Sequence, residues 1–60
     1  MLIKLTQANE SGEDVGVIFI NSDQIVSIST VQNVTEIHTA DGKPQWVKET
    51  PEQIAALLKR

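Results

Sequence analysis

One pair of side chains in the sequence is suited to acid–base chemistry. Glu36 and His38 lie two residues apart in the run VTEIHT. In an extended strand, residues i and i+2 point to the same face, so these two side chains can touch. A carboxylate beside an imidazole can act as a general base. The same pair can equally be two exposed neighbours without a catalytic role, and we favour this second interpretation.

The remaining polar residues indicate structure rather than catalysis. The carboxylate pair Glu13-Asp14 fits a solvated loop, and Glu49-x-x-Glu52 fits a strand exit followed by a helix start. No serine has the strained turn of a hydrolase nucleophile. The absence of cysteine and the single histidine exclude disulfides, thiolate metal sites and a His-rich zinc site. The sequence therefore predicts no enzyme, no catalytic residue, no metal site and no cofactor.

Strands are predicted over most of the first half of the chain. Residues 1–7 and Ile25–Val31 alternate apolar and polar side chains, a pattern typical of half-buried strands. Residues 15–20 (VGVIFI) are β-branched and aromatic and are apolar on both faces. The polar residues 8–14 and 21–23 separate these runs as loops.

A hairpin is predicted in the second half. Residues 34–39 form its first strand, and the loop 40–42, whose glycine takes the left-handed conformation, leads into the second strand. This register puts Ile37 and Val47 on one face, and Trp46 on the other with the polar side chains of the fourth strand. A two-residue turn would instead place Ile37 beside Trp46. We prefer the first register because it gathers the aliphatic residues on one side.

A short C-terminal helix follows. Thr50, Pro51 and Gln53 fit an N-cap, a first-turn proline and a capping-box partner. An apolar stripe then recurs at i, i+3 and i+4, formed by Ile54, Leu57 and Leu58. The 60 residues therefore predict one α+β, mainly β domain: a five-stranded antiparallel meander with one short helix. The meander is either an open sheet or one curled toward a small barrel.

The predicted sheet has apolar side chains on both faces. The predicted core comprises Val17, Phe19, Val26, Ile28, Ile37, Val47, Ile54, Leu57 and Leu58. A second apolar set lies opposite and is the predicted contact surface: Leu2, Ile18, Ile20 and Trp46. A patch with tryptophan at its centre is typical of protein interfaces. Two alternatives remain open: a curled sheet that wraps these residues inside, or a face assignment shifted by one residue in a strand.

Size and charge bound the partners. A domain this small is marginally stable, and without disulfides or metal, oligomerisation is the remaining way to strengthen it. The formal net charge of −3 makes nucleic-acid binding an unfavoured alternative. That alternative, a small nucleic-acid-binding regulator, would need one basic surface formed by Lys4, Lys43, Lys48, Lys59 and Arg60. No apolar run is long enough for membrane insertion. We expect a cytoplasmic homo-oligomer, and binding of another protein partner is compatible with this prediction.

Three short motifs spread over nearly the whole chain match a known pattern. Residues 3–6 read IKLT, residues 20–25 read INSDQI, and residues 47–50 read VKET after a hairpin that contains Gly42. With these motifs the sequence resembles the small bacterial flagellar FlbD-type (SwrD-like) family, as a divergent member. The resemblance implies a non-enzymatic accessory or regulatory protein that acts through protein contacts in a motility-associated role. It implies no cofactor and transfers no binding residue.

Overall fold

The computed structural model describes residues 1–59, which form five strands in one antiparallel sheet and one short C-terminal helix. The elements are β1 (Leu2–Ala8), β2 (Asp14–Asn21), β3 (Ile25–Val31), β4 (Val34–Thr39), β5 (Pro44–Val47) and α1 (Pro51–Leu58). A 3₁₀ turn at Ser22–Gln24 connects β2 to β3. The predicted fold class is confirmed, and the sheet is not closed.

The strand order shows which strands are neighbours in the sheet. The order β2-β1-β5-β4-β3 means that β3, β4 and β5 form a meander and that β5 then returns to pair with β1. Gln7 pairs with Val47 at this junction. The first and last strands therefore meet, and β2 and β3 are the two edges of the described part of the sheet.

The core lies between one face of the sheet and α1. Its buried apolar side chains are Ile3, Leu5, Ile20, Ile37, Val47 and Ile54. Ile37, Val47 and Ile54 have no exposed surface, as the sequence predicts for core residues. Burying one such aliphatic side chain stabilises the fold by about 1.5–3 kcal/mol. Ile28 and Leu57, also predicted for the core, are partly buried against this cluster.

The predicted faces of β2 are wrong. Val17 and Phe19, predicted for the core, are 57% and 59% exposed, whereas Ile20 is buried and Ile18 is partly buried. A strand that is apolar on both faces carries no periodicity that chooses between them. Pairing with β1 makes the choice, because Ile20 lies opposite Ile3 and Ile18 lies opposite Leu5.

Two further core predictions are wrong. Val26 is 70% exposed because the β3–β4 pairing shifts between Ile25 and Ser27, which makes Val26 the extra residue of a bulge. Strict alternation from Ile28 back to Val26 therefore fails, and Ile25 packs partly against the core instead. Leu58 is exposed because it is the last residue of α1, beyond Leu57, the last helical residue that packs against the core.

The local signals of the second half are confirmed. Glu36 pairs with Trp46 and His38 pairs with Pro44, which is the register of the three-residue loop. Gly42 in that loop has a φ of +85°, the left-handed conformation that glycine adopts without strain. At the start of α1, Thr50 and Gln53 exchange the two bonds of a capping box.

Candidate functional site

The sheet face that points away from the core carries two different regions. One region lies on the antiparallel pair β1–β2 and is called the hairpin surface. It consists of Leu2 on β1 and of Val17 and Phe19 on β2. The other region, the acid–indole cluster, consists of Glu36 and His38 on β4 and of Trp46 on β5. Both regions are built by strand alternation, which turns every second side chain outward.

The hairpin surface is apolar and open. Leu2 is 67% exposed, and Val17 and Phe19 are exposed to a similar degree. Register places the two β2 residues opposite polar neighbours on β1, since Phe19 pairs with Lys4 and Val17 pairs with Thr6. Large apolar side chains grouped on adjacent strands, rimmed by polar residues, mark a surface suited to contact with another protein.

The predicted contact surface is divided by the structure. Leu2 is exposed, but Ile20 lies in the core and Ile18 faces the core from the edge strand. Trp46 does lie on the outer face, although it is half-buried. Leu2 is five residues along β1 from Gln7, the residue that pairs with the neighbour of Trp46. In the same antiparallel register Trp46 lies beside Ala8, six residues from Leu2, so at about 3.3 Å per residue Leu2 and Trp46 are roughly 20 Å apart.

Sequence reasoning missed Val17 and Phe19 as surface residues. The signal that could have identified them is the alternation of β1, where Lys4 must face outward and so must its partner on β2. Using that signal requires the hairpin register, which depends on a shift at Gln7 and Ala8 that leaves Val15 unpaired beside Gly16. A bulge of this kind has no reliable sequence mark beyond the glycine.

The acid–indole cluster is closed by its own hydrogen bonds. Nε2 of His38 lies 3.0 Å from Oε1 of Glu36, and Nε1 of Trp46 donates to Oε2 of the same carboxylate at 3.3 Å. An ionised carboxylate only accepts hydrogen bonds, so His38 carries its proton on Nε2 in this pair. The predicted contact between Glu36 and His38 is therefore present, with Trp46 added to it.

These hydrogen bonds affect the acidity of Glu36. The bond from His38, followed by the bond from Trp46, holds the pKa of the Glu36 carboxyl below its ordinary value. A lowered pKa makes the carboxylate a weaker base, and both of its oxygens already accept a donor. General base catalysis needs a pKa nearer to neutrality. The arrangement is better suited to holding Trp46 in place than to moving protons.

An open cavity of about 220 Å³ lies beside the cluster. Its lining is formed by Glu10, Val31, Gln32, Val34, Glu36 and Trp46. The loop between β1 and β2 reaches this cavity through Glu10. Lys48 Nζ holds the same loop by donating to the carbonyl oxygen of Gly12 at 3.2 Å. The sequence alone does not decide which residues cover Trp46. In the structure, residues of its own chain partly enclose it.

A carboxylate also joins β1 to the segment that follows β5. Both oxygens of Glu49 accept the backbone N–H of Thr6, at 2.9 and 3.1 Å. The backbone of β5 ends at Val47, so the Glu49 side chain satisfies the β1 donor that a longer β5 would have paired. The sequence places Glu49 correctly at the strand exit but gives no sign of this role.

The basic residues of the alternative interpretation lie on separate elements. Lys4 is on β1, Lys43 is in the loop before β5, Lys48 follows β5 and Lys59 caps α1. Arg60 lies outside the described residues. In residues 1–59, no three His, Asp or Glu side chains are grouped so that they could hold a metal ion. No helix within the same residues is long and apolar enough to cross a membrane.

Comparison with known proteins adds no relative. No protein-family model, no curated protein and no solved structure matches the chain. The fold therefore defines a class only: a small α+β protein with one open five-stranded antiparallel sheet. The resemblance to the flagellar FlbD-type family stays a prediction that rests on the three motifs.

Proposed function

We propose that this chain is a small non-enzymatic interaction module that acts through self-association, with the hairpin surface as its contact. The observation that carries the proposal is the grouping of Leu2, Val17 and Phe19, three large apolar side chains that are each more than half exposed. Their exposure leaves apolar area in water that a partner would remove at about 25 cal/mol per Å².

Size supports a second copy as the partner. A 60-residue chain without cysteine buries only about 60% of the surface that its unfolded chain exposes. Association of two copies adds buried apolar surface without any new residue. The proposal replaces the predicted contact residues Ile18, Ile20 and Trp46 with Val17 and Phe19 and keeps Leu2.

The setting of the module is proposed from the sequence. The resemblance of residues 3–6, 20–25 and 47–50 to the FlbD-type family supports an accessory role associated with motility. The cytoplasm is the location that we expect from the short apolar runs of the sequence. In that role the assembled module would also contact another protein. The hairpin surface itself supports only the self-association.

Molar mass measured by light scattering tests the proposal over a concentration series from micromolar to millimolar. We expect a multiple of 6.6 kDa at the upper end for the wild type. Phe19→Ala should weaken assembly by about 2 kcal/mol, roughly thirtyfold, as for a central aromatic contact. Val26→Ala is the matched control, since Val26 is also apolar and exposed but lies on the opposite edge strand.

Two results would contradict the proposal. One is a monomer at every concentration. The other is an equal loss of assembly in the Phe19 and Val26 variants, which would mean that association follows general hydrophobicity rather than the hairpin surface.

A further inference from the structure

The backbone of β2 has a definite pattern of free hydrogen-bonding groups. The N–H of Ser22 donates to the carbonyl oxygen of Met1 at 2.7 Å, which makes these two residues a hydrogen-bonded pair of the β1–β2 ladder. Such pairs alternate with non-hydrogen-bonded pairs in an antiparallel ladder. Ile20 and Ile18 therefore bond to β1, while Phe19 and Val17 direct their N–H and C=O groups away from it.

A second contact agrees with this assignment. The N–H of Lys48 donates to the carbonyl oxygen of Thr6 at 2.9 Å, so the backbone of Thr6 points toward β5. Thr6 is the partner of Val17, and the two are consequently a non-hydrogen-bonded pair. The outer edge of β2 thus offers two sets of donors and acceptors, at Val17 and at Phe19.

We propose that a second copy of the chain pairs with this edge, antiparallel, about a twofold axis at Ile18. The inference rests on the proposed self-association and narrows its contact to the β2 edge of the hairpin surface: Val17 and Phe19 form the seam together with Ile18, and Leu2, one strand away on β1, lies outside it. Val17 of each copy then lies opposite Phe19 of the other, and the four outward backbone groups of one copy meet the four of the other. Two five-stranded sheets become one continuous sheet of ten strands.

Side chains on both faces favour this register. On the outer face, each copy contributes an aromatic residue opposite a β-branched residue, Phe19 beside Val17, a pairing that stabilises sheets. On the inner face, Ile18 is only partly buried because β2 is an edge, and Ile18 of the second copy would cover it. The axis at Ile18 therefore improves both faces at once.

The second edge of the sheet is less suited to pairing. Strand β3 is interrupted by the bulge at Val26, and bulges protect an edge because they twist it away from a partner. On β2 the irregularity lies at Val15, near its start, and leaves Gly16–Asn21 with an unbroken ladder. The regular edge is also the one that carries the hairpin surface.

Single cysteine variants test the register, because the wild-type chain contains no cysteine. In the proposed dimer the two Ile18 Cα atoms are about 4.5 Å apart, within the range that a disulfide can bridge. The two Val17 Cα atoms, and the two Phe19 Cα atoms, are about 9 Å apart and beyond that range. We expect Ile18→Cys to cross-link in a glutathione buffer at least tenfold faster than Val17→Cys or Phe19→Cys.

Solvent exposure alone would predict the opposite order of cross-linking rates, because Val17 and Phe19 are more exposed than Ile18. Faster cross-linking of Val17→Cys or Phe19→Cys would overturn the register. No cross-link in any variant, with a wild type that is dimeric by light scattering, would overturn the register and leave the self-association standing. A monomeric wild type would overturn both.

Amide hydrogen exchange in the wild type provides a test that needs no variant. On raising the concentration from micromolar to millimolar, the amides of Val17 and Phe19 should slow at least tenfold. Those of Ile18 and Ile20, already bonded within the chain, should change far less. Equal slowing of all four amides, or no slowing in a dimeric sample, would contradict pairing through this edge.

Discussion

The two regions of the outer face differ in how their side chains are satisfied. In the acid–indole cluster, the Glu36 carboxylate accepts hydrogen bonds from His38 and Trp46 of its own chain. In the hairpin surface, Phe19 and Val17 lie opposite Lys4 and Thr6 and stay more than half exposed. The most conspicuous residue in the sequence, Trp46, therefore belongs to the region that the chain completes by itself. The plainer residues of β2 belong to the region that it leaves open.

The largest expected effect separates the two faces of β2. Ile20→Ala should destabilise the fold by about 2–5 kcal/mol, because it removes a buried side chain and leaves a cavity. Phe19→Ala, one residue away, should change the stability of the monomer by less than about 0.5 kcal/mol, because the ring is exposed. Urea unfolding of both variants in dilute solution measures this difference.

A similar loss of stability in both variants would return Phe19 to the core and remove the hairpin surface. Both unfolding measurements must be made in dilute solution, because self-association would add apparent stability to any variant that still assembles.

The next effect concerns the junction between β1 and the segment that follows β5. Glu49→Ala should cost about 1.5–3 kcal/mol, since it leaves the Thr6 N–H without its charged acceptor. Glu10→Ala is the matched control, because Glu10 is an exposed glutamate of the β1–β2 loop. Thermal unfolding of the two variants should separate them clearly. Equal small losses would mean that solvent replaces the Glu49 carboxylate without penalty.

A smaller effect is expected inside the acid–indole cluster. Trp46→Phe keeps an aromatic ring but removes the donor to Glu36, and the free energy of unfolding should fall by about 0.5–1.5 kcal/mol. Assembly measured by light scattering should be unchanged, in contrast to Phe19→Ala. Loss of assembly in Trp46→Phe would mean that Trp46 is part of the self-association contact, as the sequence predicts.

The smallest effect is a pH dependence. The pKa of Glu36 is lowered by the bonds from His38 and Trp46, and that of Asp41 is lowered by the Thr39 hydroxyl and the Lys43 backbone. Below the ordinary value of 4.5 for Glu36, the unfolded chain binds more protons than the folded chain. The stabilising contribution is therefore complete above that pH and is lost as the pH falls through the lowered pKa.

The check is the denaturation midpoint as a function of pH in the wild type and in Glu36→Gln. The variant should lose less stability between neutral and acidic pH than the wild type. An identical slope in both proteins would show that the bonds to Glu36 do not persist in solution.

Sequence reasoning succeeded where a local rule acts alone. The capping box at Thr50 and Gln53, the left-handed Gly42, and the register that puts Glu36 beside Trp46 each follow from a few adjacent residues. The existence of five strands and a helix follows in the same way from periodicity. The contact between Glu36 and His38 follows from their spacing by two.

Sequence reasoning failed where two bulges change the alternation. The shift at Gln7 and Ala8 fixes which face of β2 meets the core, and the shift between Ile25 and Ser27 turns Val26 outward. A displacement of one residue exchanges the inner and outer faces of a strand, so one misplaced bulge exchanges core and surface. Both faces of β2 carry apolar side chains, so hydrophobicity does not indicate which face meets the core.

The sequence by itself determined the elements, the hairpin of the second half and the start of the helix, because turns and caps depend on neighbours in the chain. Only the tertiary structure decided that β5 returns to β1 and that Glu49 completes that junction. It also decided that Ile18 and Ile20, rather than Val17 and Phe19, face the core. These outcomes depend on pairing between distant segments, which no run of adjacent residues encodes.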